Sequence, residues 1–547
     1  MPSMPPMQRI SRRTFLGGGL TAAAVTVTGA PLLTACGSSG ADTSAANLAV
    51  TLPTYKRYAG VAPDLPATDR VLAGFLRYPA HPVRAISEKP GDGKPISFLT
   101  NIPGAIPPAA GRNPFWQAVN ERLGSPLTIS MASNDDYPKK FATQVAGGDL
   151  PDLVNIPPTT VELPALLKAK CHDLTRYLSG DAVAKYPFLA NIPTEYWKGC
   201  VFNGGIYGVP VPRGMSRTSL PLYRVDLLAA KGIKRPAPAS FAEFLDLCKE
   251  VNDPKRHRWA WTKPPTDYVR QMLGIANNWA QHGGKFTSKY EQEANLEALE
   301  ATRRMVAAGV VNPDAFSADA SARKQWFNGG VAVFDLDSFV AWNQYYATNT
   351  AGDAFAVDML DVPGYSGGQG KPWMGAALNN ITAFAKSAKH SVETMLAVAN
   401  WMAAPFGTEE YLFRKYGLAG RHYTLEGTDP VPTKTGVVET GIGLQYVCDA
   451  DMALYWAGKP DVAKRQHAIQ QTIAPRLLFD DSYGLYSETM SRKYAQLSAV
   501  LLDVENQIVQ GRRPVSSWKD AVKSFLSQGG EQMRTELAKA HADAARR

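Results

Sequence analysis

An apolar run long enough to cross a bilayer is missing from this chain; the longest candidate, Gly17 to Leu33, falls short of a spanning helix. Cysteine is scarce, five in 547 residues, and none has metal-ligand spacing. His-Glu-x-x-His, Cys-x-x-Cys and the phosphate-cradling glycine loop are all missing, and the eight histidines are scattered. Zinc hydrolysis, thiol redox chemistry and nucleotide hydrolysis therefore lose their usual signatures, and neither metal nor cofactor is expected. Lys/Arg blocks interleaved with aromatics are also missing, so no nucleic-acid partner is expected. Acidic residues are missing before residue 36, so Arg9, Arg12 and Arg13 supply three of the net +9 and leave +6 for the rest. What remains is 45% hydrophobic and 20% charged, a globular composition, in a chain too long for one core.

The first forty residues carry an address. Arg12-Arg13-Thr14-Phe15-Leu16 before the short apolar run is similar to a twin-arginine export signal. Leu33-Thr34-Ala35-Cys36 resembles a bacterial lipobox, which predicts removal of residues 1–35 and a lipid on Cys36. Residues 36–48, rich in Gly, Ser and Ala, read as a flexible tether. The folded body is thus expected outside a bacterial cytoplasmic membrane, held to its outer face by that lipid alone. Such a compartment permits disulfides; Cys171–Cys200 is the expected pair, with Cys248 and Cys448 as buried thiols.

Residues 201–228 organise the body. Asn203-Gly204-Gly205 signals a tight turn, and Ile206–Val211 a short strand that Pro210 and Pro212 bar from central pairing. Leu220–Val225 reads as a second extended run, with Asp226 capping a helix from Leu227. A strand that passes prolines and re-enters another layer suits a crossover between two lobes. Before it, residues 49–93 form a proline-rich irregular arm expected over the first lobe. Strands near 95–100, 127–131 and 152–156 alternate with helices near 114–123 and 137–145, the pattern of an open, largely parallel α/β sheet. After it come a capping box at Ser240–Glu243, helices over 268–281 and 290–308, and strands at 331–335, 357–362 and 376–384. Helices follow at 339–346 and 392–403 and over most of the last hundred residues.

Five stretches together resemble the extracellular solute-binding proteins of ABC importers, the family of maltose-binding protein and the larger LplA-type lipoproteins. They are Gly147-Gly148-Asp149-Leu150-Pro151-Asp152, Gly204–Pro210, Leu222–Leu228, Trp326–Val333 and Gly420–Thr424. The resemblance implies a two-lobed, type II periplasmic-binding-protein-like α/β fold that closes on a ligand. Lobe 1 would comprise 94–211 and 363–425, lobe 2 212–362 and 426–540. It also implies a monomer that captures a carbohydrate, as an oligosaccharide, and passes it to importer permease subunits. Peptide or polyol ligands stay open on the same scaffold.

Ligands of open α/β sheets sit beyond the carboxyl ends of the strands. A sugar needs flat apolar faces and planar hydrogen-bonding groups there. Candidate platforms are Trp116, Tyr137, Trp261, Tyr268, Trp279, Phe339, Trp342 and Trp373, with Trp279 and Trp342 equally readable as core. Phe339 lies where the family's maltose binder has a stacking tryptophan. Polar candidates are Asn134, Asp135, Asp136, Arg213, Asp267, Arg270, Asp335, Asp337, Asn379 and Asn380, with Arg213 equally readable as a lobe–lobe salt bridge. Gly364-Tyr365-Ser366-Gly367-Gly368 matches a hydrolase elbow, but Pro363 before it and Gln-Gly-Lys-Pro after it deny the strand and helix that elbow needs. A secreted glycan hydrolase would have to use Asp135/Asp136 with Asp335/Asp337, because carboxylate spacing is spatial.

Overall fold

The computed structural model describes residues 44–349 and 351–546. The expected signal peptide, Cys36 and most of the tether lie outside them. The strands sort into two main sheets. In the first, Ile96–Ile102 (β1), Leu127–Ser133 (β2) and Leu153–Ile156 (β3) run parallel, linked by helices Pro114–Leu123 (α1) and Tyr137–Gly147 (α2). Val209–Pro212 (β4) and Leu378–Phe384 (β9) complete the order β2-β1-β3-β9-β4, with β9 antiparallel to both neighbours. In the second sheet, Val357–Met359 (β8), Ser219–Arg224 (β5), Ala332–Ser338 (β7) and Trp259–Trp261 (β6) lie in that order.

Local chemistry explains the elements. β1 buries Ile96, Phe98, Leu99 and Ile102, as a parallel strand covered on both faces must. The Asn113 side chain accepts from the Trp116 amide at 3.1 Å and Pro114 opens α1. Asn203 and Gly204 both take positive φ, 51° and 73°, and turn a hairpin between Val201–Phe202 and Gly205–Ile206. β4, with its two prolines, pairs on one side only, as an edge strand should.

Several expectations change. Residues 268–281 are not one helix: Thr266–Met272 (α3) stops before Gly274, and Trp279–His282 turns through Gly283-Gly284 to pair with Lys285–Ser288. The helix after β5 starts at Val225, and Asp226 spends its carboxylate on Arg224 at 2.6 Å instead of capping. In the box at Ser240, the hydroxyl accepts from Glu243 N, but the Glu243 carboxylate reaches Ala239 N, one residue further back. The expected Cys171–Cys200 disulfide is absent; all four described cysteines are free and buried. Cys171 ends a helix against Ala385, whereas the thiol beside Cys200 belongs to Cys448.

The two cores divide the chain differently from the sequence-based boundaries. Val362, Tyr365, Trp373 and Met374 pack with the second sheet, while Ile442, Leu444, Tyr446 and Cys448 pack with the first. Beyond the arm, the described chain therefore passes between the lobes three times, near 213–218, 375–377 and 449–453. The arm does not keep to the first lobe. It ties to Gly180 and Ala190 there, crosses to Leu454 and Gln470 of the second core, and returns to the Glu410 carboxylate. Helices Glu488–Val509, Ser517–Phe525 and Glu531–Ala545 form a third core with Trp279, Phe286 and Leu299.

Candidate functional site

β6 and β7 are parallel, so Trp261 and Ser338 end at one edge of the second sheet. β5 runs opposite and brings Ser219 to that edge, across from Ser338. In the first sheet β4 ends, and β9 begins, at the carboxyl edge of β3. The first two crossings thus join the carboxyl edges of both sheets. They touch backbone to backbone: a Cβ on Gly375 would lie 2.3 Å from Arg217 C and 2.5 Å from Gly214 O, so only glycine fits. Gly375 N also donates to Thr218 Oγ1 at 3.0 Å.

A cavity of about 390 Å³ opens at this junction. Arg217, Ser219 and Ala376 come from the crossings, and Lys263 follows β6. Asp335, Leu336, Asp337 and Ser338 end β7, while Ala320, Arg323 and Lys324 come from helix Ala320–Asn328 (α4). Arg217 is exposed, and Lys263, Arg323 and Lys324 are half-buried. Although Arg217 keeps surface open to solvent, desolvation by the protein packed around the cavity, and then Arg213, push its guanidinium below the usual arginine range. Another hollow, of about 320 Å³, lies among the C-terminal helices and carries no strand-end residue.

The expected site residues separate sharply. Asp337 lines the cavity and pairs with Lys324 at 3.4 Å. Asp335 also reaches it but is 4% exposed; its oxygens accept from the Thr262 and Tyr345 hydroxyls. Burial of Tyr345 itself, and then Asp335 and Asp337, raise its pKa well above its usual value, which keeps the phenol a donor. At the edge of the first sheet, Asn155 donates to Asn101 and Asn101 to Asn134, each at 2.6 Å, a chain of amides. Asn379 donates to Asn380 at 2.9 Å, and buried Asn380 donates to Tyr446 O at 3.2 Å. Asp135 and Asp136 are exposed after β2, where Asp136 accepts from Ser133 Oγ at 2.7 Å.

Most of the proposed platforms are interior. Trp116 lies in the first core and donates to Leu127 O at 2.8 Å. Tyr268, Phe339 and Trp342 lie in the second core, with Tyr268 donating to Asp361 O at 2.6 Å. Tyr137, Trp261 and Trp279 are buried as well. Trp373 is half-buried, and its indole N–H goes to Ile275 O at 2.8 Å. Arg213 is 8% exposed and faces Asp449 at 3.7 Å, the salt-bridge alternative. Asp267 pairs with Arg270 at 2.9 Å, inside a clamp that also holds Glu505.

Arg217, Lys263, Arg323 and Lys324 escaped the sequence reading. Lys263 stands two residues after Trp261, itself a candidate, and was legible. Arg217 sits in the polar gap between the two hinge strands. Arg323 and Lys324 carry no local signal, because only packing turns that face of α4 to the cavity.

The family profile described as "Bacterial extracellular solute-binding protein" matches residues 117–419, more than half of the chain. Lipoprotein LipO of Bacillus subtilis (strain 168) is 21% identical over 454 residues, covering 78% of this chain and 88% of its own. The polygalacturonan/rhamnogalacturonan-binding protein YtcQ of the same organism is 20% identical, covering 77% and 86%. Among solved structures, the alginate-binding protein AlgQ2 without calcium ion superposes with a TM-score of 0.62 at 14% identity. That match covers 83% of this chain and 99% of AlgQ2, and it bears out the two-lobed periplasmic-binding-protein fold. With a profile match of this extent, two exchanging α/β lobes and a cavity at their crossings, the chain belongs to the bacterial extracellular solute-binding protein family.

Proposed function

We propose that this protein is a monomeric, lipid-anchored receptor that captures a carbohydrate between its lobes and delivers it, chemically unchanged, to an ABC importer. The observation that carries the reading is the cavity's position. Its walls come from the second lobe and from the two crossings, so any rotation about the crossings reshapes it. A ligand that contacts both walls stabilises one lobe arrangement over the other, and an importer responds to that arrangement. The carbohydrate class draws support from YtcQ and AlgQ2, whose names describe polysaccharide binding. Export and anchoring draw on the paired arginines and Cys36, and on a lipoprotein relative. No helix among the described residues is long and apolar enough to cross a membrane.

Thermal unfolding of the exported chain against an oligosaccharide panel tests the binding reading. A ligand at 100 times its dissociation constant adds about 2.7 kcal/mol. Unchanged midpoints across the whole panel would remove the carbohydrate. The anchor is tested separately: a Cys36→Ser chain should leave the membrane fraction and appear in the soluble exported fraction.

A further inference from the structure

The cavity wall is cationic, and none of its eleven lining residues is aromatic. Arg217, Lys263, Arg323 and Lys324 stand against Asp335 and Asp337, a formal excess of two positive charges. Asp335 is withdrawn further by the two hydroxyls that occupy it. Arg323 spends one N–H on Ala318 O at 2.8 Å, and Lys324 divides between Gln344 and Asp337. The Arg217 guanidinium has neither an ion pair nor a hydrogen-bond partner among the described residues. Arg213, which faces Asp449 at 3.7 Å, adds to the positive field at Arg217, against which Asp337 is the facing carboxylate.

A site for neutral sugars offers aromatic faces to the C–H surfaces of the rings. Here Trp116, Tyr268, Phe339 and Trp342 are enclosed in the two cores instead. Four cations around one hollow repel one another, and that cost is offset when the bound partner is itself negative. A planar guanidinium with free N–H groups matches a carboxylate by two parallel hydrogen bonds. We infer that the ligand of this cleft is an anionic saccharide whose sugar units carry carboxylates, with Arg217 holding one of them as a fork. The inference rests on the carbohydrate reading above and narrows it to a charge class. Lys263 follows β6, whereas Arg323 and Lys324 belong to α4, so the further cations come from two other elements, which suits carboxylates on successive sugars rather than a single terminal charge.

The test is calorimetric titration of the whole exported chain with trigalacturonate, with its fully methyl-esterified form and with maltotriose. Trigalacturonate should bind at least about tenfold more tightly than the ester, which keeps the rings and removes the charges. Its affinity should fall between 0.1 M and 1 M salt, as the screening length drops from ~10 Å to ~3 Å. Arg217→Gln should weaken trigalacturonate by at least about tenfold, and Arg217→Lys should recover part of it, because charge returns without the fork. The unliganded unfolding midpoint of each variant checks folding independently. Equal or tighter binding of the ester or maltotriose, with no effect of Arg217→Gln, would overturn the anionic class and leave carbohydrate binding standing. Binding of a glutamate-rich peptide with none of the three saccharides would overturn both.

Discussion

Arg213 and Asp449 face each other at 3.7 Å, although they stand on two different crossings between the lobes. Asp449 also meets Arg414 at 2.9 Å and Lys415 at 3.0 Å, so one buried carboxylate holds three cations where the lobes join. Burial alone would raise the Asp449 pKa, but Lys415, Arg414 and Arg213 together hold it below the usual carboxylate value.

Asp449→Asn should therefore destabilise the protein by about 3–5 kcal/mol, because it strands buried cations instead of merely losing one contact. Urea unfolding measures this, and a loss under about 1 kcal/mol would reject the account. The pH dependence has a definite sign. With its folded pKa depressed, Asp449 contributes stability above its unfolded pKa of about 3.9 and loses it as the pH falls through the lower folded value. The variant should lack that acid limb.

Asp451, two residues on, behaves oppositely. Burial raises its pKa to about 6, against the backbone amide of Met452, Arg213 and the Tyr196 hydroxyl, and with reinforcement from Asp449. One of its oxygens has no hydrogen-bond partner. Between the unfolded value of about 3.9 and 6, the folded chain binds more protons, so this group's contribution is fully present below pH ~4 and is lost as the pH rises through 6. Asp451→Asn should match the parent chain below pH ~4 and exceed it above 6, as read from unfolding midpoints across that range. A constant difference over that range would show that Asp451 does not titrate as described.

One guanidinium ties helix Glu488–Val509 to α3. Arg270, 3% exposed at its side chain, meets Glu505 at 2.6 Å, Asp267 at 2.9 Å and Asn295 at 2.9 Å. Glu505→Ala should cost about 3–5 kcal/mol and raise amide exchange in residues 488–545 first. The paired change Arg270→Met with Glu505→Leu should recover much of that loss, since it removes both buried charges and leaves only Asp267, whose side chain is 47% exposed to water. If the double variant is as unstable as the single one, the clamp supplies more than charge compensation.

Much of the secondary structure was legible. β1 to β3 and their helices follow from alternating apolar runs, Pro114 and the Gly147-Gly148 stop, all local signals. The stretch from 268 to 281 misled because its apolar spacing suits a helix, while the Gly283-Gly284 turn that commits Trp279 to a hairpin lies just beyond it. The lobe boundaries misled for a different reason. Tyr365 and Trp373, or Leu444 and Tyr446, are equally apolar in sequence whichever core receives them.

The candidate site was legible in its position and not in its chemistry. The sequence by itself determined that the chain carries an export-like address and that its strands alternate with helices. It also determined that prolines at 210 and 212 put a crossover strand at a sheet edge, because periodicity, turn geometry and ring closure act over a few residues. Tertiary structure alone decided that the tryptophans after the strands turn inward, that Arg323 and Lys324 turn toward the cavity, and that Asp449 gathers Arg213, Arg414 and Lys415. Burial and charge compensation are properties of neighbours in space, and those neighbours come from segments far apart along the chain.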